Sequence, residues 1–172
     1  NLSEQKVMLK GHHYSYPFST YINGNEFLLP EVASHSRPYL LKKSEEGLEK
    51  TFLKGLEDKR LIDATILKKG KSTFIFFGLQ DDSDDVLHLY CATSLTSQFK
   101  MHPESPIRID PEGARMGGRV LIVKNRLFRL GQDNCYKYGQ KLKIYEIVKI
   151  NHKSYKERLI GSIGINDFEG PH

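Results

Sequence analysis

The sequence predicts an all-β fold of the β-propeller kind, and three observations predict it. Helical periodicity is scarce, short alternating or aromatic-rich runs recur along the chain, and those runs fall into repeated groups. Taking Phe27, Phe74 and Phe128 as equivalent gives spacings of 47 and 54 residues, a blade-length repeat. A sheet of about four strands cannot bury both faces by itself, so such units stack around an axis and fill the gaps between one another.

The first unit covers residues 12–43, where YSYPFSTYINGN leads into NEFLLPEV (25–32) and RPYLLKK (37–43). Pro17 has no N–H to give a central ladder, which places the opening run at a strand start or edge. INGN carries residues that tolerate positive φ and suits a hairpin. SEEGLEKTFLKGLEDKR (44–60) has the one helix-like spacing, through Leu48, Phe52, Leu53 and Leu56, while Gly47 and Gly55 argue for a loop excursion instead. The second unit, 61–92, reads LIDATILKKGK, STFIFFGL (72–79) and VLHLYCA (86–92). DPEGARMGGR (110–119) is a glycine-containing loop with two arginines but no strand-loop-helix context for a phosphate cradle. The third unit, 118–147, reads GRVLIVKNR, RLFRLGQD (126–133) and QKLKIYEI (140–147), and residues 148–172 read as the start of a further unit. About three to four blades are therefore expected in a single domain over residues 1–172, or in a fragment of one.

Composition narrows the function classes. The chain has 172 residues, 38% hydrophobic and 27% charged, with a mean hydropathy of −0.49, which describes a globular protein with a sizeable core. No apolar run approaches the roughly 20 residues that cross a bilayer, and NLSEQKVMLK lacks the order of a signal peptide, so a soluble, cytoplasmic chain without a membrane span is expected. Cys91 and Cys135 lack metal-ligand spacing and read as free thiols in a reducing compartment. The net charge of +5 is spread among acids such as DDSDD (81–85), so no nucleic-acid stripe emerges. Neither His12 nor His13 has a partner at metal spacing, and neither a metal nor another cofactor is expected.

Side chains at equivalent ends of successive blades converge on one polar funnel. Glu31 ends a strand where Gln132 and Asp133 end the corresponding strand of a later unit, and Asp63 lies at the start of the unit between. The plain alternative is a set of exposed acids in ordinary turns. A converging set suits glycan chemistry, because carboxylates accept hydrogen bonds from vicinal hydroxyls and aromatic faces stack on sugar rings. Two carboxylates about 5 to 9 Å apart also hydrolyse glycosidic bonds, and Glu31, Asp63, Glu112 and Asp133 are the catalytic candidates. His13, Ser15 and Tyr16 form a compact polar-aromatic group that serves either the rim packing or a ligand. Arg115 and Arg119 are able to grip an anion bidentately. Tyr138 sits near a polar strand end, for hydroxyl bonding or core filling, and Cys135 lacks an activating partner.

HHYSYPF, FLLPE, IDATI, GARMGGR, RLFRLGQDNCYKYGQKLKIYEI and the terminal GPH follow in order the pattern of the propeller domain of plant glucosamine inositolphosphorylceramide transferases, and roughly residues 12–172 resemble it. A similar domain accompanies some bacterial formyltransferase-like and glycosyltransferase proteins. The resemblance implies a five-bladed propeller with furanosidase-like architecture, acting in glycan, glycolipid or polysaccharide assembly. The matching positions are His13, Ser15, Tyr16, Pro17, Glu31, Asp63, Arg115, Gln132, Asp133, Tyr138, Glu146 and His172. ARMGG stands where the family often shows an Arg-Pro-Ala-Gly-like loop, and Leu130-Gly131 replace a Pro-Ala pair. The family's transfer chemistry is generally assigned to a separate domain, so an adjoining transferase domain is an expected partner.

Three functions follow from this reading. The first is a carbohydrate-binding or substrate-presenting domain, taking a sugar, a nucleotide-sugar or a glycolipid beside a transferase. The second is a glycosidase-like enzyme with paired carboxylates, and the third is a purely structural interaction propeller with an apolar plug in its channel.

Overall fold

A computed structural model describes residues 13–22, 24–32, 34, 36–44 and 47–164. They form thirteen strands in three antiparallel sheets. Sheet 1 holds β1 (Ser15–Ile22), β2 (Asn25–Glu31), β3 (Tyr39–Ser44) and β4 (Gly47–Phe52), paired in chain order. Sheet 2 holds β5 (Leu61–Lys69), β6 (Ser72–Leu79), β7 (Val86–Ala92) and a split edge, with β8 (Lys100–Met101) and β9 (Arg108–Ile109) both pairing with β7. Sheet 3 holds β10 (Leu121–Val123), β11 (Arg126–Asp133), β12 (Lys141–Ile150) and β13 (Tyr155–Gly164).

Each sheet begins with a two-residue hairpin, and this is what sets the repeat. Lys124 and Asn125 both have positive φ, 49° and 62°, the requirement of the turn whose twist matches its flanking strands. The first residues after the three turns are Asn25, Ser72 and Arg126, so Phe27, Phe74 and Phe128 are structural equivalents.

Core packing explains why the units differ in hydrophobicity. Ile75 and Phe77 of β6 pack with Leu29 and Leu40 of sheet 1, while Phe74 and Phe76 pack with Met116 and Ile147 on the side of sheet 3. Sheet 2 is thus covered on both faces, which is why STFIFFGL has no polar alternation. Each of its three phenylalanines is fully buried and contributes about 1.5–3 kcal/mol.

Two sequence expectations are corrected here. Residues 44–60 form β4 and then turns: Gly55 sits at φ 84° with its Cα so close to Phe99 O that a Cβ would lie 2.1 Å from it, and Leu53 and Leu56 dip into the core. Residues 148–164 do not open a further unit. β12 runs on to Ile150, and β13 returns along it as the fourth strand of sheet 3. Its charged, half-exposed sequence is that of a protected edge.

Candidate functional site

The first strands of sheets 1 and 2 carry the same irregularity near their starts. The ladder shifts register between Ser15 and Phe18 in β1 and between Ile62 and Thr65 in β5, and each bulge holds one residue at positive φ: Tyr16 at 40° and Asp63 at 48°. Bulges re-aim side chains, and a non-glycine residue held there costs on the order of 1–3 kcal/mol that the surroundings must offset. The hydroxyls of Tyr16 and Thr65 are 3.0 Å apart, and Thr65 Oγ1 donates to Gly118 O at 3.4 Å. The first strands of sheets 1 and 2 and the loop leading into β10 therefore meet at one place. A cleft of about 430 Å³ opens beside it, lined by Tyr16, Pro17, Phe18, Ser19 and residues 117–119.

Around this meeting point the polar side chains form one connected array. Glu31 accepts from Ser15 Oγ at 2.8 Å and, through its other oxygen, from the backbone N–H of Asp63 at 2.7 Å. Asp63 Oδ2 accepts from Arg115 Nε at 2.6 Å and from Gln132 Nε2 at 3.2 Å. Arg115 also donates to Asp84 at 2.8 Å, and Asn134 donates to the same carboxylate oxygen at 3.2 Å. The guanidinium lies 5.2 Å from the ring centre of Tyr138, which is half exposed. Gln132 Nε2 donates to Met116 O at 2.7 Å, whereas its Oε1 is buried and has no hydrogen-bond partner among the described residues.

Burial sets the electrostatics of the array. It pushes the Asp63 carboxyl up to about 6; Arg115 pulls the other way, and the neighbouring Glu31 adds to the rise. Burial likewise raises the Tyr16 hydroxyl to about 12, with the Asp63 and Glu31 charges contributing. For Arg115 burial opposes the charge, but Asp63 and Asp84 more than offset it and hold the side chain cationic.

The other expected site residues fall elsewhere. Asp133 neighbours Gln132 on β11, and adjacent strand residues point to opposite faces, so the carboxylate turns away from Asp63. It accepts from Cys135 N at 3.3 Å and lies 3.8 Å from Lys143 Nζ, which also donates to Glu112. Asp133 and Glu112 thus share one ammonium in a second, separate cluster. His13 is exposed ahead of β1, Pro17 is exposed on it, and Arg119 donates to Ser19 O at 3.3 Å along the cleft. Glu146 lies between Arg126 and Arg158, at 2.7 Å from each Nε, away from the array. His12 and His172 lie outside the described residues. Burial raises the Cys91 thiol, which leaves it a poor nucleophile.

Sequence reasoning missed Asp84 and Asn134. Asp84 belongs to an acidic run that reads as solvated surface, and one member of that run turns inward to Arg115. Asn134 follows Gln132 and Asp133, and its side-chain oxygen also accepts from Gly139 N at 2.8 Å, which fixes the loop that carries Tyr138. Among the described residues no three His, Cys, Asp or Glu side chains converge on a metal position, and no helix is long and apolar enough to cross a membrane.

Comparison with known proteins places this geometry in context. Residues 5–167 match the family model described as glucosamine inositolphosphorylceramide transferase 1, N-terminal. Glucosamine inositolphosphorylceramide transferase 1 of Oryza sativa subsp. japonica is 33% identical over 153 residues, and the Arabidopsis thaliana protein of that name is 26% identical over 153. Each alignment covers 84% of this chain but 20% of the relative, so the chain spans about a fifth of their length. Among solved structures, a GH43 β-1,3-galactosidase with galactodeoxynojirimycin superposes with a TM-score of 0.63 at 11% identity, covering 82% of this chain and 44% of that one. An exo-β-1,3-galactanase from Clostridium thermocellum gives a TM-score of 0.61 at 8% identity, covering 89% and 36%. At such identities the likeness is one of fold.

Proposed function

Because the chain belongs to the glucosamine inositolphosphorylceramide transferase 1 N-terminal family, we propose that it is a carbohydrate-binding, substrate-presenting propeller domain that works beside a glycosyltransferase domain on a glycolipid. Its three sheets are three blades, and their first strands line the axis. The observation that carries this reading is the Glu31–Asp63–Arg115–Gln132 array, which joins β2, β5, β11 and the loop ahead of β10 across the three sheets. It sets carboxylate acceptors, a fixed cation and an amide beside a half-exposed tyrosine ring, which is the equipment for vicinal hydroxyls and a sugar face. Titration calorimetry of the chain with sugars and nucleotide sugars tests it. Binding that weakens at least about tenfold in Glu31→Ala and Asp63→Ala, each removing a hydrogen bond worth ~1.4 kcal/mol or more, and that persists in Asp133→Ala supports the proposal. Absence of binding, or binding indifferent to the first two substitutions, sinks it.

A glycosidase-like reading is favoured by one observation: a carboxyl raised to about 6 at Asp63 stands directly beside a second carboxylate, Glu31. A group with that affinity for its proton is suited to general-acid work near neutral pH. Against it, Glu31 is already engaged by two donors. Release of nitrophenol from nitrophenyl glycosides, abolished in Asp63→Asn and Glu31→Gln, would establish hydrolysis; inert substrates would dismiss it.

A further inference from the structure

The gap between sheets 1 and 2 changes character along its length. Strand alternation turns Phe18, Thr20 and Ile22 of β1 into this gap, together with Ala64, Ile66 and Lys68 of β5 and Thr73, Ile75 and Phe77 of β6. Over most of the length their apolar members close up as one core. At the hairpin end, where Ile22 pairs with Asn25 and Lys69 with Ser72, the rows supply Thr20, Lys68 and Thr73 instead. There a cleft of about 550 Å³ opens, with Lys71 of the β5–β6 turn beside it and Ile22, Ile66 and Leu95 as its apolar wall. This end is remote from the Glu31–Asp63 contact, which sits where β1 and β5 begin.

The polar groups of this cleft are unspent. Lys68 and Lys71 are exposed, and neither makes an ion pair or a hydrogen bond among the described residues. Thr73 is 3% exposed, yet its hydroxyl also has no partner among the described residues. A hydroxyl so enclosed costs free energy until an acceptor or donor reaches it. Lys69, on the opposite face of β5, shows the contrast, because its Nζ donates to Ile150 O at 3.3 Å. No described carboxylate lines the cleft: Glu26 pairs with Tyr21 on the outer face of sheet 1, and the DDSDD run follows the far end of β6. Two compact ammonium groups and a hydroxyl suit an anion with several oxygens, and lysine binds phosphate as a point charge. The wall is aliphatic, with no ring among its described residues on which a base or sugar could stack.

We propose that this cleft is a second ligand site, separate from the array, and that it binds a phosphate ester. The phosphate oxygens accept from the Lys68 and Lys71 ammonium groups and from the Thr73 hydroxyl, and the esterified carbon chain lies on Ile22, Ile66 and Leu95. About 16 Å of strand separates Lys68 from Asp63, so one ligand of modest size does not reach both. The ester is a soluble phosphorylated molecule or the headgroup of a lipid; the recognising chemistry is the same, and the acyl chain tells them apart.

Nuclear magnetic resonance of the labelled 172-residue chain tests the site with glycerol 3-phosphate, with dihexanoyl phosphatidic acid below its micelle concentration, and with sulfate and hexyl glucoside as controls. Either ester should shift the signals of Thr20, Ile66, Thr73 and Leu95 saturably and leave those of Asp63 and Arg115 in place. Lys68→Met and Lys71→Met should each weaken binding about fivefold, while Lys149→Met, outside the cleft, should not change it. Thr73→Val, which keeps the volume and removes the hydroxyl, should also weaken it about fivefold. Dihexanoyl phosphatidic acid binding at least about tenfold more tightly than glycerol 3-phosphate supports the site and assigns it to a lipid headgroup; similar affinities support it and assign it to a soluble ester. No saturable shift with either ester overturns the proposal. So do esters that bind no more tightly than sulfate, shifts indifferent to both lysine substitutions, or hexyl glucoside binding as tightly as dihexanoyl phosphatidic acid.

Discussion

Asp63 makes a pH-dependent contribution to stability whose sign is set by burial. Its carboxyl titrates near 3.8 when exposed and at about 6 in the fold, a change of about 150-fold in proton affinity, or ~3 kcal/mol. Between those two pH values the folded chain binds more protons at this site than the unfolded chain. Stability therefore falls as pH rises through the window: the contribution is full below about 3.8 and gone by about 6. Other groups titrate in the same range, so the informative quantity is a difference. Urea unfolding of the wild type and of Asp63→Asn, measured from pH 3.5 to 7.5, should show the variant gaining ~3 kcal/mol relative to the wild type between the ends of the window, since asparagine has no proton to release. At the acid end wild-type Asp63 is itself protonated, so neither protein has an ionic partner for Arg115 there; above about 6 only the wild type has one, and that attraction is already contained in where Asp63 titrates. Two parallel pH profiles would refute the argument that burial outweighs the Arg115 ion pair.

The remaining predictions concern single contacts. Arg129 is fully buried and donates to both oxygens of Glu157, at 2.8 and 2.7 Å, so Arg129→Met should cost ~3–5 kcal/mol in urea unfolding, while Arg126→Met, on the exposed rim, should leave the urea midpoint nearly unchanged. Glu31→Ala removes the acceptor of a buried backbone N–H and should destabilise by ~1–3 kcal/mol, with faster hydrogen exchange at Asp63 N. Gly55→Ala puts a methyl group 2.1 Å from Phe99 O at a positive φ and should cost more than ~1 kcal/mol; a thermal midpoint equal to that of the wild type would show that the turn relaxes freely.

The equivalence of Phe27, Phe74 and Phe128 was legible because each is placed two residues after a tight hairpin, and turn chemistry is local. The same counting made Glu31 and Gln132 correspond. Asp133 was not separable from Gln132 in the sequence, since strand parity decides which of two neighbours faces the array and a single residue of register reverses it. The fourth strands were hidden for different reasons. β8 and β9 have two residues each, and β13 is an edge whose charged pattern, YKERLIGSIG, resembles solvated loop. Asp84 was invisible because only tertiary placement distinguishes one acid in DDSDD from its neighbours. The bulges that hold Tyr16 and Asp63 at positive φ have no local signature in either residue type, although Pro17 marks the first of them as a break in the ladder.

Nuclear magnetic resonance of the isotopically labelled chain, titrated with a panel of monosaccharides and nucleotide sugars, tests the central claim most directly. The account predicts that a bound sugar shifts the amide and side-chain signals of Tyr16, Asp63, Arg115, Asn134 and Tyr138 together and leaves those of Lys143 and Glu112 in place. Saturable shifts confined to any other surface, or a spectrum that no sugar perturbs, would contradict it.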